Sequence, residues 1–152
     1  MPSHARVDGH IKRALQFETE HAGVPHAHWQ VVIIYYSALH WVTAACIATH
    51  LSRFRGAFAP STGTHGDLRD LMTKLGLGPK AKPRTIYDPL EKLSRNARYD
   101  IEGKGNMTQI DVDKALKLAK GLREWSTERI TKAGYTIPAP TPPTVSATPA
   151  AP

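Results

Sequence analysis

The sequence predicts an all-α protein, a bundle of four to five up-and-down helices, and three observations carry that prediction. Residues 21–52 contain no Asp, Glu, Lys or Arg. The segments on either side carry apolar residues at spacings of three and four, the period of an amphipathic helix. Nowhere do apolar and polar residues alternate as they do in a half-buried strand. With 152 residues, the chain is long enough to form one domain with a substantial core.

The uncharged stretch predicts a central helix from about Trp29 to Leu51. Its apolar residues fall on more than one helical stripe, so the helix has to be buried on nearly all sides. The length would also suffice for a bilayer, and a single membrane anchor is the alternative. However, His40 stands at the middle of the stretch, where hydrocarbon disfavours an imidazole. We therefore expect a soluble, cytoplasmic bundle that does not associate with a membrane.

Four further helices are predicted from apolar periodicity. Asp8 is a candidate N-cap for the first helix, and Thr108 with Asp111 has the pattern of a capping box at the start of the last one. The four predicted helices run from Val7 to His21, from about His65 to Leu75, from about Ile86 to Ile101, and from Thr108 to near Trp125.

The segment that begins at Tyr135 has no charged residue and contains six prolines. This composition excludes a helix or a sheet strand and predicts a disordered, partly polyproline-like tail. The expected organisation is a helical bundle over residues 1–134 and a disordered Pro/Ala/Thr-rich tail over residues 135–152. The tail could also serve as a docking peptide.

Composition narrows the class of function only slightly. The net charge of +7 favours polyanionic partners such as RNA, DNA or acidic protein surfaces, although no dense cluster of Lys and Arg is present. The single Cys46 excludes an intramolecular disulfide and is typical of a small core residue. The chain has no P-loop, dinucleotide fingerprint, nucleophile elbow or zinc-binding cysteine pattern. We expect no cofactor and no metal, since His21, His26 and His28 lack a cysteine partner.

All eight histidines lie at or before His65, so histidine chemistry has to come from the first half of the chain. His40 follows Tyr36 by one helical turn on the same stripe. It is either a core histidine bonded to a neighbouring helix or a group that faces a cleft. His65 and Arg69 share a face at the head of a helix, where free backbone amides also lie, or form an incidental exposed pair.

The fourth predicted helix carries a second set of polar candidates. Ser94 and Arg98 flank its apolar stripe, whereas Arg95 and Tyr99 point away from it. Arg98 is therefore the arginine that can reach a cleft between helices. Its alternative role is a structural ion pair with a nearby carboxylate.

Together these residues suggest one phosphate-binding or phosphodiester-cleaving site. Two imidazoles can share the acid and base roles when RNA is cleaved through its own 2′-hydroxyl, and a guanidinium can stabilise the charge that develops on phosphorus. No metal is needed, and the same residues could equally bind a phosphate without reaction. The catalytic candidates are His40, His65 and Arg98, and the substrate-binding candidates are Tyr36, Arg69, Ser94 and Tyr99.

Two short segments carry a family resemblance when they are taken in order along the chain. They are Tyr35, Tyr36 and His40 in IYYSALH, and Ala97, Arg98 and Tyr99 in NARYD. These segments resemble a YYAxxH-type element and an ARY-type element of HEPN-like proteins, compact helical domains of bacteria and archaea. The resemblance covers about Val7 to Trp125. It implies a four- to five-helix bundle that is commonly a homodimer and often tied to RNA cleavage, toxin–antitoxin pairs or phage defence, in which a cognate protein is a further candidate partner.

The chain departs from that family in the usual catalytic pair. Active HEPN ribonucleases carry an arginine and, a few residues later, a histidine on the late helix. Neither Arg95 nor Arg98 is followed by such a histidine. The departure favours a module that binds RNA, a nucleotide or a protein partner without turnover. A metal-independent ribonuclease that uses His40 or His65 is the alternative.

Overall fold

The computed structural model describes residues 2–54, 65–99 and 106–139, apart from the side chains of residues 2–4 and of His65. Within these ranges the chain forms five α-helices and one short 3-10 helix, with no strand. The predicted all-α fold class is confirmed. The helices are α1 (Pro2–Glu20), α2 (Ala27–Arg53), α3 (His65–Lys74), α4 (Arg84–Tyr99) and α5 (Gln109–Lys132), and the 3-10 turn is His21–Gly23.

The predicted central helix, α2, is the core of the bundle. α1, α4 and α5 all pack against it, and its side chains Tyr35, Trp41 and Val42 are almost completely buried. Burying one large apolar side chain contributes about 1.5–3 kcal/mol, so this helix supplies much of the free energy of folding. By length and composition α2 could also cross a bilayer, but the core helix of a bundle passes the same test.

The start of α1 differs from the prediction. The helix begins at Pro2, so Asp8 lies inside it and the proposed N-cap role for Asp8 is wrong. Proline is tolerated in the first turn of a helix, where the missing N–H has no partner to lose. Val7, Ile11 and Ala14 then form the buried stripe that packs on the core.

α5 begins as predicted and ends later than predicted. The backbone N–H of Thr108 donates to the Asp111 carboxylate at 2.9 Å, which is the capping-box bond. Ser126 and Ile130, both fully buried, continue the inner face beyond Trp125 to Lys132. A polar residue at position 126 interrupts the apolar pattern, so the sequence indicated too short a helix.

The chain stays on the bundle after α5. Residues 135–139 form neither helix nor strand, yet the side chains of Tyr135 and Ile137 lie partly buried against the core. Residues 140–152, to which most of the predicted disordered tail belongs, lie outside the described residues. The predicted last residues of the fourth helix, Asp100 and Ile101, lie outside them as well.

Candidate functional site

One face of α2 is left half-open between α1 and α4. Tyr36 and His40 lie on it one turn apart and are partly exposed, whereas the neighbouring Tyr35 points into the core. Phe17 from α1 and Arg98 from α4 reach Tyr36 along this face. We call Phe17, Tyr36, His40, Arg98 and Tyr99 the aromatic strip.

Arg98 occupies the α4 side of the strip. Its Nη1 donates a hydrogen bond to the Tyr36 hydroxyl at 3.2 Å. Its guanidinium carbon lies 5.8, 5.9 and 5.4 Å from the ring centroids of Tyr35, Tyr36 and Tyr99, within the range of cation–π attraction. Within the described ranges the contacts of Arg98 are tyrosines rather than carboxylates. Arg98 therefore reaches the inter-helix cleft that its helical position predicts.

Tyr99 gives the strip an exposed end. Its side chain is 67% exposed at the last residue of α4, and the Arg98 guanidinium carbon lies 5.4 Å from the centroid of its ring. A flat ring that is held by a cation and open to solvent can stack a second planar group.

His40 occupies the α1 side of the strip. Its Nδ1 lies 2.8 Å from the Nδ1 of His10 on α1, and its ring stacks on Phe17 with a centroid distance of 5.7 Å. In a hydrogen bond between two such nitrogens one ring must donate and the other must accept, so both cannot be charged. The sequence allowed two roles for His40, and this contact matches the first of them, a histidine bonded to a neighbouring helix.

The environment of this pair favours neutral imidazoles. Burial first, and then the electrostatic interactions with His10 and Arg13, lower the pKa of His40 to about 4. Burial and the nearby Arg6 and Arg13 also lower the pKa of His10. His40 is therefore mainly neutral at neutral pH, which disfavours the role of general acid.

Phe17 contacts both Tyr36 and His40 and so links the two residues that α2 contributes to the strip. Its ring centroid lies 6.0 Å from that of Tyr36 and 5.7 Å from that of His40. Neither Phe17 nor His10 was among the residues that the sequence singled out. Phe17 falls beside the Ile11 and Ala14 stripe of α1, and a large aromatic residue beside a buried stripe was a signal that could have found it.

Arg69 belongs to a different cluster, where α3 meets α4. It pairs with the buried carboxylate of Glu91, and its Nε lies 3.5 Å from Asp88 Oδ1. Arg95 pairs with the other oxygen of Glu91 at 3.1 Å. The charge of Arg69, which the sequence assigned to a phosphate, is thus neutralised by carboxylates. Glu91 itself gave no signal, because only its partner 22 residues away reveals its role.

Ser94 is fully buried, and its hydroxyl has no hydrogen-bond partner in the described part of the chain. It therefore lies behind the surface that a ligand would touch. The hydroxyls of Tyr35 and Tyr87 bond to each other at 3.0 Å, and burial raises the pKa of Tyr35 to about 12. These neutral groups form the inner wall behind Arg98.

The structure thus brings together four of the seven predicted site residues. Tyr36, His40, Arg98 and Tyr99 share the strip, whereas Arg69 and Ser94 do not reach it. The backbone of His65 opens α3, but its side chain lies outside the described residues.

No group of three or more His, Cys, Asp or Glu side chains in residues 2–54, 65–99 and 106–139 could hold a metal ion. His26 and His28 do lie together, with their ring centroids 5.7 Å apart.

Comparisons with known proteins give no further identification: no family model, no curated protein and no solved structure matches this chain. The HEPN resemblance accordingly stays a prediction.

Proposed function

We propose that this protein is an RNA-binding module, in the manner of HEPN-like domains, and that it holds single-stranded RNA on the aromatic strip without cleaving it. The observation that carries the proposal is the placement of Arg98 among three tyrosine rings beside the exposed Tyr99. Proteins bind unpaired bases by stacking them on aromatic rings and on arginine planes.

Electrostatics support a polyanionic ligand. The chain carries a net charge of +7. Arg95, at the same end of α4, is 60% exposed, so its charge is only partly offset by Glu91. A guanidinium can bind a phosphate with two parallel hydrogen bonds, which an ammonium cannot do. A free nucleotide offers the same base and phosphate and is the smallest ligand of this class.

The neutral state of His40 supports binding without turnover. Cleavage through the 2′-hydroxyl needs one imidazole to accept a proton and another to supply one. The lowered pKa values of His40 and His10 leave both neutral at pH 7. A metal-independent ribonuclease would have to obtain its acid from elsewhere, and His65 is the candidate that the sequence offers.

The test is fluorescence anisotropy of a labelled single-stranded RNA with wild type and two matched variants. Tyr99→Ala removes an exposed ring and should not disturb the fold, because little of it is buried. Loss of one stacked base costs about 1–3 kcal/mol, so we expect the Kd to rise by roughly 5- to 150-fold.

The control is Lys132→Ala at the far end of the bundle. Lys132 lines a hollow with Thr49 and Ser52 at the end of α2, which lie roughly 20 Å along the helix from Tyr36 at 1.5 Å per residue. This variant should change the Kd little, although it removes a full charge. Equal weakening by both variants would mean that binding is general electrostatics, and absence of binding by wild type would remove the proposal.

Cleavage is scored in the same samples. RNA incubated with wild type in EDTA should stay intact on a denaturing gel. Cleavage that disappears in His65→Ala would establish the ribonuclease alternative instead.

A further inference from the structure

A groove of about 320 Å³ runs between α1, α2 and α5. Its apolar wall is built from Phe17, Ile34, Leu116 and Ala119. The volume lies at the lower end of the range of about 300–1,000 Å³ for small-ligand sites. The groove can thus hold a small ligand.

Leu116 is the side chain that this groove leaves open to solvent. It lies on α5 four residues after Val112 and directly after Ala115, and it is 38% exposed, whereas Val112, Leu122 and Ile130 of the same helix are buried. A single exposed leucine is ordinary. Here, however, it shares a concave wall with a phenylalanine and an isoleucine, so a ligand there would cover apolar surface on more than one side.

The one carboxylate in the groove is already neutralised. Glu18 accepts a hydrogen bond from Trp41 Nε1 at 2.7 Å on one oxygen and pairs with Arg123 at 3.0 Å on the other. The Arg123 guanidinium also lies 5.5 Å from the Trp41 ring. This pair locks α1, α2 and α5 together and leaves the rim with no net negative charge.

Lys120 and His21 complete the rim. Lys120 is exposed on α5 and forms no ion pair with any residue of the described ranges. His21 donates from Nδ1 to the backbone carbonyl of Glu18 at 2.8 Å, since a carbonyl can only accept. Its Nε2 is then the nitrogen available for a ligand. The groove therefore combines an apolar wall, one unpaired cation and one imidazole nitrogen.

We propose that this groove is a binding site for a small monocarboxylate with an apolar or aromatic body. The carboxylate would lie at the Lys120 ammonium and the body against Phe17, Ile34 and Leu116. A compact dianion such as phosphate fits less well, because it would gain nothing from the apolar wall and would approach Glu18. This site shares Phe17 with the aromatic strip, but its carboxylate end, at Lys120 on α5, lies outside the strip, and the proposal does not require RNA binding.

The probe for the test is phenylacetate, a small monocarboxylate with an aromatic body. Its uncharged isostere, phenylacetamide, is the matched control ligand. In methyl-detected NMR, phenylacetate should shift the signals of Ile34 and Leu116, with a Kd in the millimolar range or tighter, as is usual for ligands of this size.

Two lysine variants then separate the site from general charge attraction. Lys120→Ala should weaken phenylacetate by about two- to fivefold, the effect of one exposed ion pair. Lys117→Ala removes an exposed charge from the same helix and should leave the Kd unchanged. The proposal fails if phenylacetate shifts neither methyl signal, if phenylacetamide binds equally well, or if the two variants have equal effects.

Discussion

Replacing Glu91 by Gln should destabilise the fold far more than the corresponding change at its partly exposed neighbour Asp88. The Glu91 side chain is 3% exposed and receives one guanidinium on each oxygen, from Arg69 on α3 and from Arg95 one turn along α4. The amide keeps the size of the side chain but removes its charge, and it turns an N–H₂ group toward a cation. The interaction of Arg69 with α4 is then reduced to its contact with Asp88.

The expected magnitude follows from the burial of the partners. Breaking a fully buried pair costs about 3–5 kcal/mol. The side chains of Arg69 and Arg95 are 35% and 60% exposed, so water can partly solvate both after the change, and we expect about 2–3 kcal/mol. For a chain of this size that corresponds to a fall in Tm of roughly 4–12 °C.

Urea unfolding followed by the fluorescence of the buried Trp41 measures this free energy. Asp88→Asn is the control, because it makes the same change of charge at a carboxylate that is 35% exposed and also contacts Arg69. It should cost less than about 1 kcal/mol. If Glu91→Gln unfolds at the same urea concentration as wild type, the buried carboxylate does not hold α3 to α4 and the account of Arg69 is mistaken.

Three further predictions concern acid stability, the end of the chain and self-association. The folded pKa of His40 lies below its unfolded value, so the unfolded chain binds more protons. The stability contributed by neutral His40 is present above pH 6.5 and is lost as the pH falls toward 4. After a discount for solvent screening, we expect the free energy of unfolding to fall by on the order of 1–2 kcal/mol between pH 7 and pH 5. Urea unfolding at the two pH values measures this difference, which should be smaller in His40→Gln. Deleting residues 135–152 should lower Tm by several degrees, because the contacts of Tyr135 and Ile137 with the core are then lost. A chain that ends at Ala139 should keep the Tm of the full chain, and equal Tm values for the two shortened chains would contradict this. Sedimentation at micromolar concentration should show the homodimer that the HEPN resemblance implies, and a monomer would count against it.

Local patterns along the chain predicted most of the fold. The uncharged stretch identified α2, because a long helix without charged residues has to be buried. Its own composition predicts this, and no contact with a distant residue has to be known. The capping residues of α5 were equally readable, since both partners lie within one turn. The end of α5 could not be predicted in this way. The buried Ser126 interrupts the apolar pattern, although the buried face of the helix continues to Ile130.

The site was only partly predictable, because its contacts join residues far apart in the chain. The spacing on α4 indicated that Arg98 faces the cleft and that Tyr99 points away, and both positions agree with the structure. The bond between His40 and His10 spans 30 residues, and no periodicity reports it. For the same reason the sequence did not indicate the role of Glu91. Its carboxylate pairs with Arg69, which therefore does not reach the predicted site.

The most direct test of the central claim is to map where RNA touches the protein. A single-stranded RNA that carries 4-thiouridine is crosslinked to wild type by light, and the crosslinked peptides are located by mass spectrometry. The account predicts crosslinks in peptides that contain Phe17, Tyr36 or Tyr99, and loss of the last of these in Tyr99→Ala. Crosslinks confined to the exposed lysines of α5, or no crosslink above that of a protein of similar charge, would contradict it.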